Sequence, residues 1–182
     1  KRETQQAVDK DGWLHTGDIG QLDPLDLSFS IVDRKKDIFK LSQGEYVAPE
    51  VVEGAVTTSK YVMQVWVYGD SEHPFLVAVI APERETVLQL ARQRGVPGDL
   101  AEVCGTEEVR AAILADMVAC GRGAALRSFE LPRGVHICTD TNNLGQAFTV
   151  ENDLLTPTFK LRRMNLRIRF QDDIKRLYEA LS

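Results

Sequence analysis

Apolar and polar positions along the chain fall into two periods, one near two residues and one near 3.6, which mark strands and helices in alternation. SFSIV at residues 28–32 reads as a strand after the turn-like LDPLD. Residues 38–41 read as a short strand and Ser42-Gln43-Gly44 as a turn. Pro49 opens a helix, because its fixed φ suits the first helical turn. Val51, Val52, Ala55 and Val56 are its expected apolar face. Residues 61–68 and 75–80 read as paired strands around the turn GDSEHP. A helix is expected from Pro82 through Leu88 and Leu90 to about Arg94, where GVPGD breaks it. A second is expected over residues 106–119, with Thr106 as N-cap and Glu107 and Glu108 in the first turn. Gly121 and Gly123 weaken its continuation, so residues 124–128 stay open between helix and coil. Residues 134–139 read as a strand and 140–160 as loop. A last helix spans about 172–181, with Ile174, Leu177 and Leu181 on one face. The pattern predicts an α/β (α+β) fold, a short sheet with flanking helices over residues 34–182. The polar stretch KRETQQAVDKDG and the segment up to residue 33 read as a tail belonging to another domain. Such a tail has few partners for its backbone and is expected to move when that domain is absent.

Composition narrows the class. A chain of 182 residues holds one well-packed domain. Hydrophobic residues make up 43% and charged residues 27%, the balance of a globular protein. A net charge of −5 argues against nucleic acid as partner. Cys104, Cys120 and Cys138 are odd in number, form no CxxC pair and read as buried small residues, so a reducing, intracellular setting is expected, cytoplasmic or membrane-associated. With His15, His73 and His136 scattered as well, no metal site is expected. No apolar run approaches the ~20 residues that span a bilayer.

Two stretches carry the chemistry. DGWLHTGDIG at residues 11–20 is followed by IVDRKKDIFKLSQGEYVAPEVVE at residues 31–53. They bring Asp18, Arg34, Lys36 and Lys40 close in sequence. This pairing resembles the nucleotide-binding and hinge motifs of the adenylate-forming enzymes, and the GEYVAPE form resembles their long-chain acyl-CoA synthetase (fatty acid–CoA ligase) branch. The resemblance implies that residues 1–33 end a large amino-terminal AMP-binding domain and that residues 34–182 form the small carboxy-terminal lid. It implies ATP, coenzyme A and a long-chain fatty acid as substrates, with Mg²⁺ ligands outside this chain.

Roles follow residue by residue from that resemblance. Asp18 would hold the ribose, since a carboxylate accepts from two adjacent hydroxyls; its other reading is a turn cap. Arg34 would touch the ribose through its guanidinium fork; its other reading is part of the solvated charge run Asp33 to Asp37. Lys36 occupies the hinge position, where an exposed polar side chain lets φ and ψ change without loss of packing; otherwise it is a surface lysine. Lys40 would approach the adenylate in the thioester-forming orientation, and Gly44 would let the backbone help form the pantetheine tunnel. Lys160 lies in LTPTFKLRR, similar to the superfamily loop PxTxxGKxxR whose lysine stabilises the adenylation transition state. Phe159 replaces the glycine of that loop, a departure that resembles the long-chain branch. The other reading joins Lys160 to Arg162, Arg163, Arg167 and Arg169 in a basic patch for anionic lipid or the CoA phosphates. Glu45 would orient a lysine, Glu50 would complement a helix dipole, and Trp13, Trp66 and Tyr68 would pack in cores or interfaces.

The phosphate-binding Ser/Thr/Gly-rich loop that an adenylate-forming enzyme needs is missing from this sequence, as is a long apolar region for an acyl tunnel. The chain alone is therefore expected to be inactive. Two alternatives stand beside the ligase: an adenylate-forming enzyme for shorter-chain or aryl acids, and a non-catalytic module docking on a membrane.

Overall fold

The computed structural model describes residues 7–182; residues 1–6 of the expected polar tail lie outside the described residues. Three strands form the central sheet. β5 (Val62–Tyr68) runs antiparallel to β6 (Leu76–Pro82), which runs parallel to β7 (Pro132–Ile137). β6 lies in the middle and is buried along its whole length, which is why it reads as a continuous apolar run instead of an alternating one.

The two faces of β6 feed two cores. Leu76, Ala78 and Ile80 point into one with Val65 and Val67. That core is closed by α1 (Pro49–Val56), α2 (Arg84–Gln93), α3 (Leu100–Gly105) and α4 (Glu107–Gly123). Val77, Val79 and Ala81 point into the other, with Trp66, Phe148, Leu166, Phe170, Ile174 and Tyr178. Its cover is the loop around Phe148, α5 (Arg163–Arg169) and α6 (Gln171–Leu181). The result is a sheet sandwiched between two helical layers. Tyr178 is fixed inside by its hydroxyl, which donates to the Phe75 carbonyl at 3.2 Å.

Two small hairpins precede this sandwich. β1 (Asp18–Leu22) pairs antiparallel with β2 (Phe29–Arg34), and β3 (Phe39–Lys40) with β4 (Tyr46–Val47). The first hairpin stands outside both cores: Leu22, Phe29 and Ile31 are 57%, 68% and 60% exposed. Trp13, expected to pack, is 74% exposed within this chain, whereas Trp66 is buried.

Some sequence expectations hold in the structure and others need correction. Pro82 ends β6, and the following helix starts at Arg84 with Glu83 as N-cap, its carboxylate accepting from the Thr86 N–H. The break at GVPGD is followed by α3, which Asp99 and Glu102 cap reciprocally in a capping box. Thr106 does cap α4, but that helix passes through Gly121 to Gly123. At Gly121 the Leu131 side chain packs close against the helix backbone, its tip 2.6 Å from where a Cβ would stand. The basic stretch after Lys160 is helical (α5), with Leu166 buried beneath it. Val51 is exposed, and the buried positions of α1 are Pro49, Val52, Glu53 and Val56. Leu181 does share a face with Leu177, both lying against Gly134 of β7, and it remains 40% exposed at the chain's end. Cys104 and Cys138 are buried and Cys120 is half-buried. No helix among the described residues is long and apolar enough to cross a membrane.

Candidate functional site

The β1–β2 hairpin decides where Asp18 and Arg34 stand. They are partners in its register, and Arg34 Nε lies 3.9 Å from Asp18 Oδ1. The turn into β1 is held by two bonds: the Asp18 N–H donates to Thr16 Oγ1 at 3.2 Å, and the Lys35 N–H to the Gly17 carbonyl at 2.8 Å. Gly17 adopts φ +79°, which a side chain would disfavour. Both side chains remain partly open to solvent. An acceptor-only carboxylate and a donor-only guanidinium thus lie side by side, a pair that can hold the hydroxyls of a sugar and the charge of a phosphate.

Next to Arg34, Asp33 does something the sequence reading missed. It is only 2% exposed. One carboxylate oxygen accepts from the Arg34 N–H at 2.6 Å and the other from the Glu50 N–H at 3.1 Å. Ala48, at the N-cap of α1, has no side chain to cap that helix. Asp33 supplies the cap from β2 instead, and its charge complements the helix dipole. Lys36 lies between these two elements, exposed, in the turn Lys35–Asp37. That turn is closed by the Asp37 and Ile38 N–H groups, which both donate to the Arg34 carbonyl. Oxygens of Asp33, Asp37 and Glu50 lie within 4.8 Å of one another. As a cation site the trio is poor, because both Asp33 oxygens are occupied by N–H donors and Arg163 faces Asp33 and Asp37 with its own charge.

Lys40 and Gly44 share the β3–β4 hairpin. The Leu41 N–H donates to the Glu45 carbonyl and the Gly44 N–H to the Leu41 carbonyl, with Gly44 at φ +97°. The Lys40 ammonium sits 5.4 Å from the centre of the Tyr46 ring. Bonds from the Ser42 N–H to the His73 carbonyl and from Gln43 Nε2 to the Pro74 carbonyl tie the hairpin to the β5–β6 loop. The Glu45 carboxylate forms no ion pair among the described residues, so its expected orienting role has no contact behind it here.

Lys160 is carried by a closed loop. The Thr156 N–H donates to the Lys160 carbonyl at 2.8 Å, and the Phe159 N–H to the Thr156 carbonyl at 2.8 Å. The Lys160 N–H donates to Thr156 Oγ1 at 3.1 Å. A bridge between Leu155 and Leu161 closes the base. Phe159 has φ +59° and its ring is 76% exposed. The position is left-handed, which is why glycine suits it and why phenylalanine is strained there.

The expected basic patch is largely neutralised. Arg162 pairs with Asp153, Arg163 with Glu53 and Arg169 with Asp140. Arg167 lies over the Tyr68 ring. The Glu53–Arg163 pair was hidden from the sequence reading and is the least exposed of these. Arg163 Nη1 and Nη2 donate to Glu53 Oε1 and Oε2, each at 2.8 Å, and the Val67 N–H adds a third bond to Glu53 at 3.0 Å. Burial pushes the Glu53 carboxyl above its ordinary range, although Arg163 pulls the other way. Burial also works against the Arg163 charge, but the Glu53 bonds outweigh it and keep the guanidinium a firm cation. A signal existed: Pro49, Val52, Glu53 and Val56 follow the i, i+3, i+4, i+7 rule, so a carboxylate lies on the buried stripe and must find a partner.

The predicted residues thus fall into four places: Asp18 with Arg34, Lys36 in the turn that follows, Lys40 with Gly44, and Lys160 in its loop. No hydrogen bond or ion pair joins Lys160 to the other groups among the described residues. Arg163, three residues on, ties the end of the Lys160 loop to Glu53 on α1.

No protein-family model matches the chain. Long-chain-fatty-acid–CoA ligase 1 of Cavia porcellus is 46% identical over 178 residues, covering 98% of this chain and 24% of the relative. Long-chain-fatty-acid–CoA ligase 6 of Homo sapiens is 46% identical over 175 residues, 96% of this chain and 24% of the relative. Among solved structures, the A domain of a carboxylic acid reductase from Segniliparus rugosus, in complex with AMP and a co-purified carboxylic acid, superposes with a TM-score of 0.80 at 32% identity. That match covers 100% of this chain and 26% of the solved one. The chain spans about a quarter of the length of the curated relatives it matches.

Proposed function

Because the chain belongs to the long-chain fatty acid–CoA ligase family of adenylate-forming enzymes, we propose that it serves as the lid of such a ligase, with residues 1–33 completing the large domain and residues 34–182 moving against it. The parent reaction has two halves. A fatty acid carboxylate oxygen attacks the α-phosphorus of ATP, forming the acyl-adenylate and expelling pyrophosphate. The thiol of coenzyme A then attacks the acyl carbon and expels AMP.

The observation that carries this reading is the register pairing of Asp18 with Arg34. The carboxylate accepts from the two ribose hydroxyls and the guanidinium donates to ribose or phosphate oxygens. Lys160 adds a cation to the adenylation step, where carboxylate and α-phosphate bring two anions together. Lys36 is the hinge, exposed in a turn that is closed by its neighbours and not by its own side chain. The Lys40–Gly44 hairpin faces the adenylate during thioester formation, its glycine letting the backbone approach the pantetheine arm. Mg²⁺ accompanies the triphosphate, and its ligands belong to the parent outside this chain, since in the Asp33, Asp37 and Glu50 trio both Asp33 oxygens already accept from backbone N–H groups. By itself the chain activates no fatty acid.

The test is AMP release by the full-length parent over fatty acids of increasing length, with Lys160→Ala alongside. Release that peaks with long chains and is lost in the variant supports the reading. Release without dependence on fatty acid, or a variant equal to wild type, overturns it. A membrane-docking module is the weaker reading, because three of the five cations it needs are paired with carboxylates.

A further inference from the structure

The Glu53–Arg163 pair joins two parts of the lid that serve different ends. Glu53 lies on α1, the helix that follows the hinge turn and is capped by Asp33. Arg163 is the first residue of α5 and follows the Lys160 loop directly. Both lie mostly out of solvent, with side chains 10% and 19% exposed. All Glu53 bonds go to defined donors: two guanidinium nitrogens and the Val67 N–H of β5. Below Lys160 the chain is held again, by the Arg162 N–H to the Leu154 carbonyl at 2.9 Å and by Asn165 Nδ2 to the Asp153 carbonyl at 2.7 Å. A bidentate fork fixes distance and angle together, which a single contact does not.

We infer that Glu53 and Arg163 are positioning residues for adenylation: their buried fork clamps the Lys160 loop to α1 and β5, so that the lysine arrives at the reacting phosphate in one geometry when the lid closes. The inference rests on the adenylation role of Lys160. It adds that the hinge-side helix and the lysine loop move as one rigid piece. Replacing a buried ion pair by apolar residues of similar volume often leaves stability intact, so a pair kept only for stability can be replaced. A pair kept for geometry cannot, because a misplacement of about 1 Å costs on the order of a hundredfold in rate.

The experiment uses the full-length parent with four variants: Glu53→Gln, Arg163→Lys, the apolar double variant Glu53→Leu/Arg163→Met, and Lys160→Ala. Three quantities are read: pyrophosphate-forming adenylation with its kcat and KM for ATP, thioester formation from supplied acyl-adenylate, and the melting temperature. The expected result is a fall in adenylation kcat of about tenfold to a hundredfold in the three pair variants. KM for ATP and thioester formation stay within about threefold. The apolar double variant melts like wild type and is still slow. The positioning role is overturned if both half-reactions fall together in step with the melting temperature, or if the apolar double variant regains adenylation. If Lys160→Ala itself keeps adenylation, the lysine assignment fails and the clamp falls with it; if Lys160→Ala alone is slow, only the clamp is overturned.

Discussion

Asp18 and Arg34 face each other across β1 and β2, with Arg34 Nε 3.9 Å from Asp18 Oδ1, and neither side chain is needed to pack the sandwich. Asp18→Ala in the parent should therefore weaken AMP binding while leaving the fold alone. Hydrogen bonds to a charged group contribute about 1.5–3 kcal/mol each, so calorimetric titration with AMP should record a loss of about tenfold or more. An unchanged affinity would remove Asp18 from the nucleotide site.

Asp33 spends both carboxylate oxygens on backbone N–H groups, one of them at the start of α1. Losing a helix cap costs about 1–2 kcal/mol. Asp33→Ala should lower unfolding free energy by at least that, and Asp33→Asn, with one acceptor oxygen, should fall in between. Urea denaturation of this chain measures both; equal stability of all three proteins would contradict the capping role.

Phe159 holds a left-handed backbone with its ring in solvent. The left-handed conformation costs a side-chain-bearing residue about 1–2 kcal/mol. Phe159→Gly should then be more stable than Phe159→Ala by about 1 kcal/mol, since alanine keeps the strain and neither variant loses a buried contact. A glycine variant less stable than the alanine variant would disprove the strain.

Among the described residues the Lys36 side chain makes no ion pair, and its turn is closed by bonds between its neighbours. Lys36→Pro fixes one of the two dihedrals a hinge must change. Adenylation should remain within about threefold of wild type while thioester formation drops on the order of a hundredfold, as expected when the second orientation is not reached. Rapid quench of the two half-reactions separates them, and an equal loss in both would refute the hinge.

Burial holds the His136 imidazole below its ordinary 6.5, against the pull of Asp173 at 3.4 Å; Arg176, Arg169 and Arg110 add to the depression. A depressed histidine favours the folded state fully above 6.5, and that stability is lost as pH falls through the folded value. Melting temperature should therefore decline below about pH 6.5, and His136→Gln should flatten that decline. A variant with the same slope as wild type would rule His136 out as its source.

Local rules carried much of this fold. Pro49 opening α1, Thr106 capping α4 and the apolar strand at β6 are each determined by a few neighbouring residues. The helix over residues 163–169 was not legible in the same way. Its charges look like a solvated surface, and only Leu166 meets the core, so no apolar stripe announces it. The short α3 lies just after two glycines, and its capping box was the cue that outweighed them.

The sequence by itself determined which chemistry is available: a carboxylate after Gly17, an arginine and lysines in one run, and a lysine in a threonine-rich loop. Those are properties of residue type and spacing. Tertiary structure alone decided the partnerships. Register across β1 and β2 brought Asp18 to Arg34 over 16 positions, and packing of α5 on the sheet brought Arg163 to Glu53 over 110. The reason is physical. A buried charge must be neutralised by whichever opposite charge the fold brings near it, and sequence distance carries no information about which one that is.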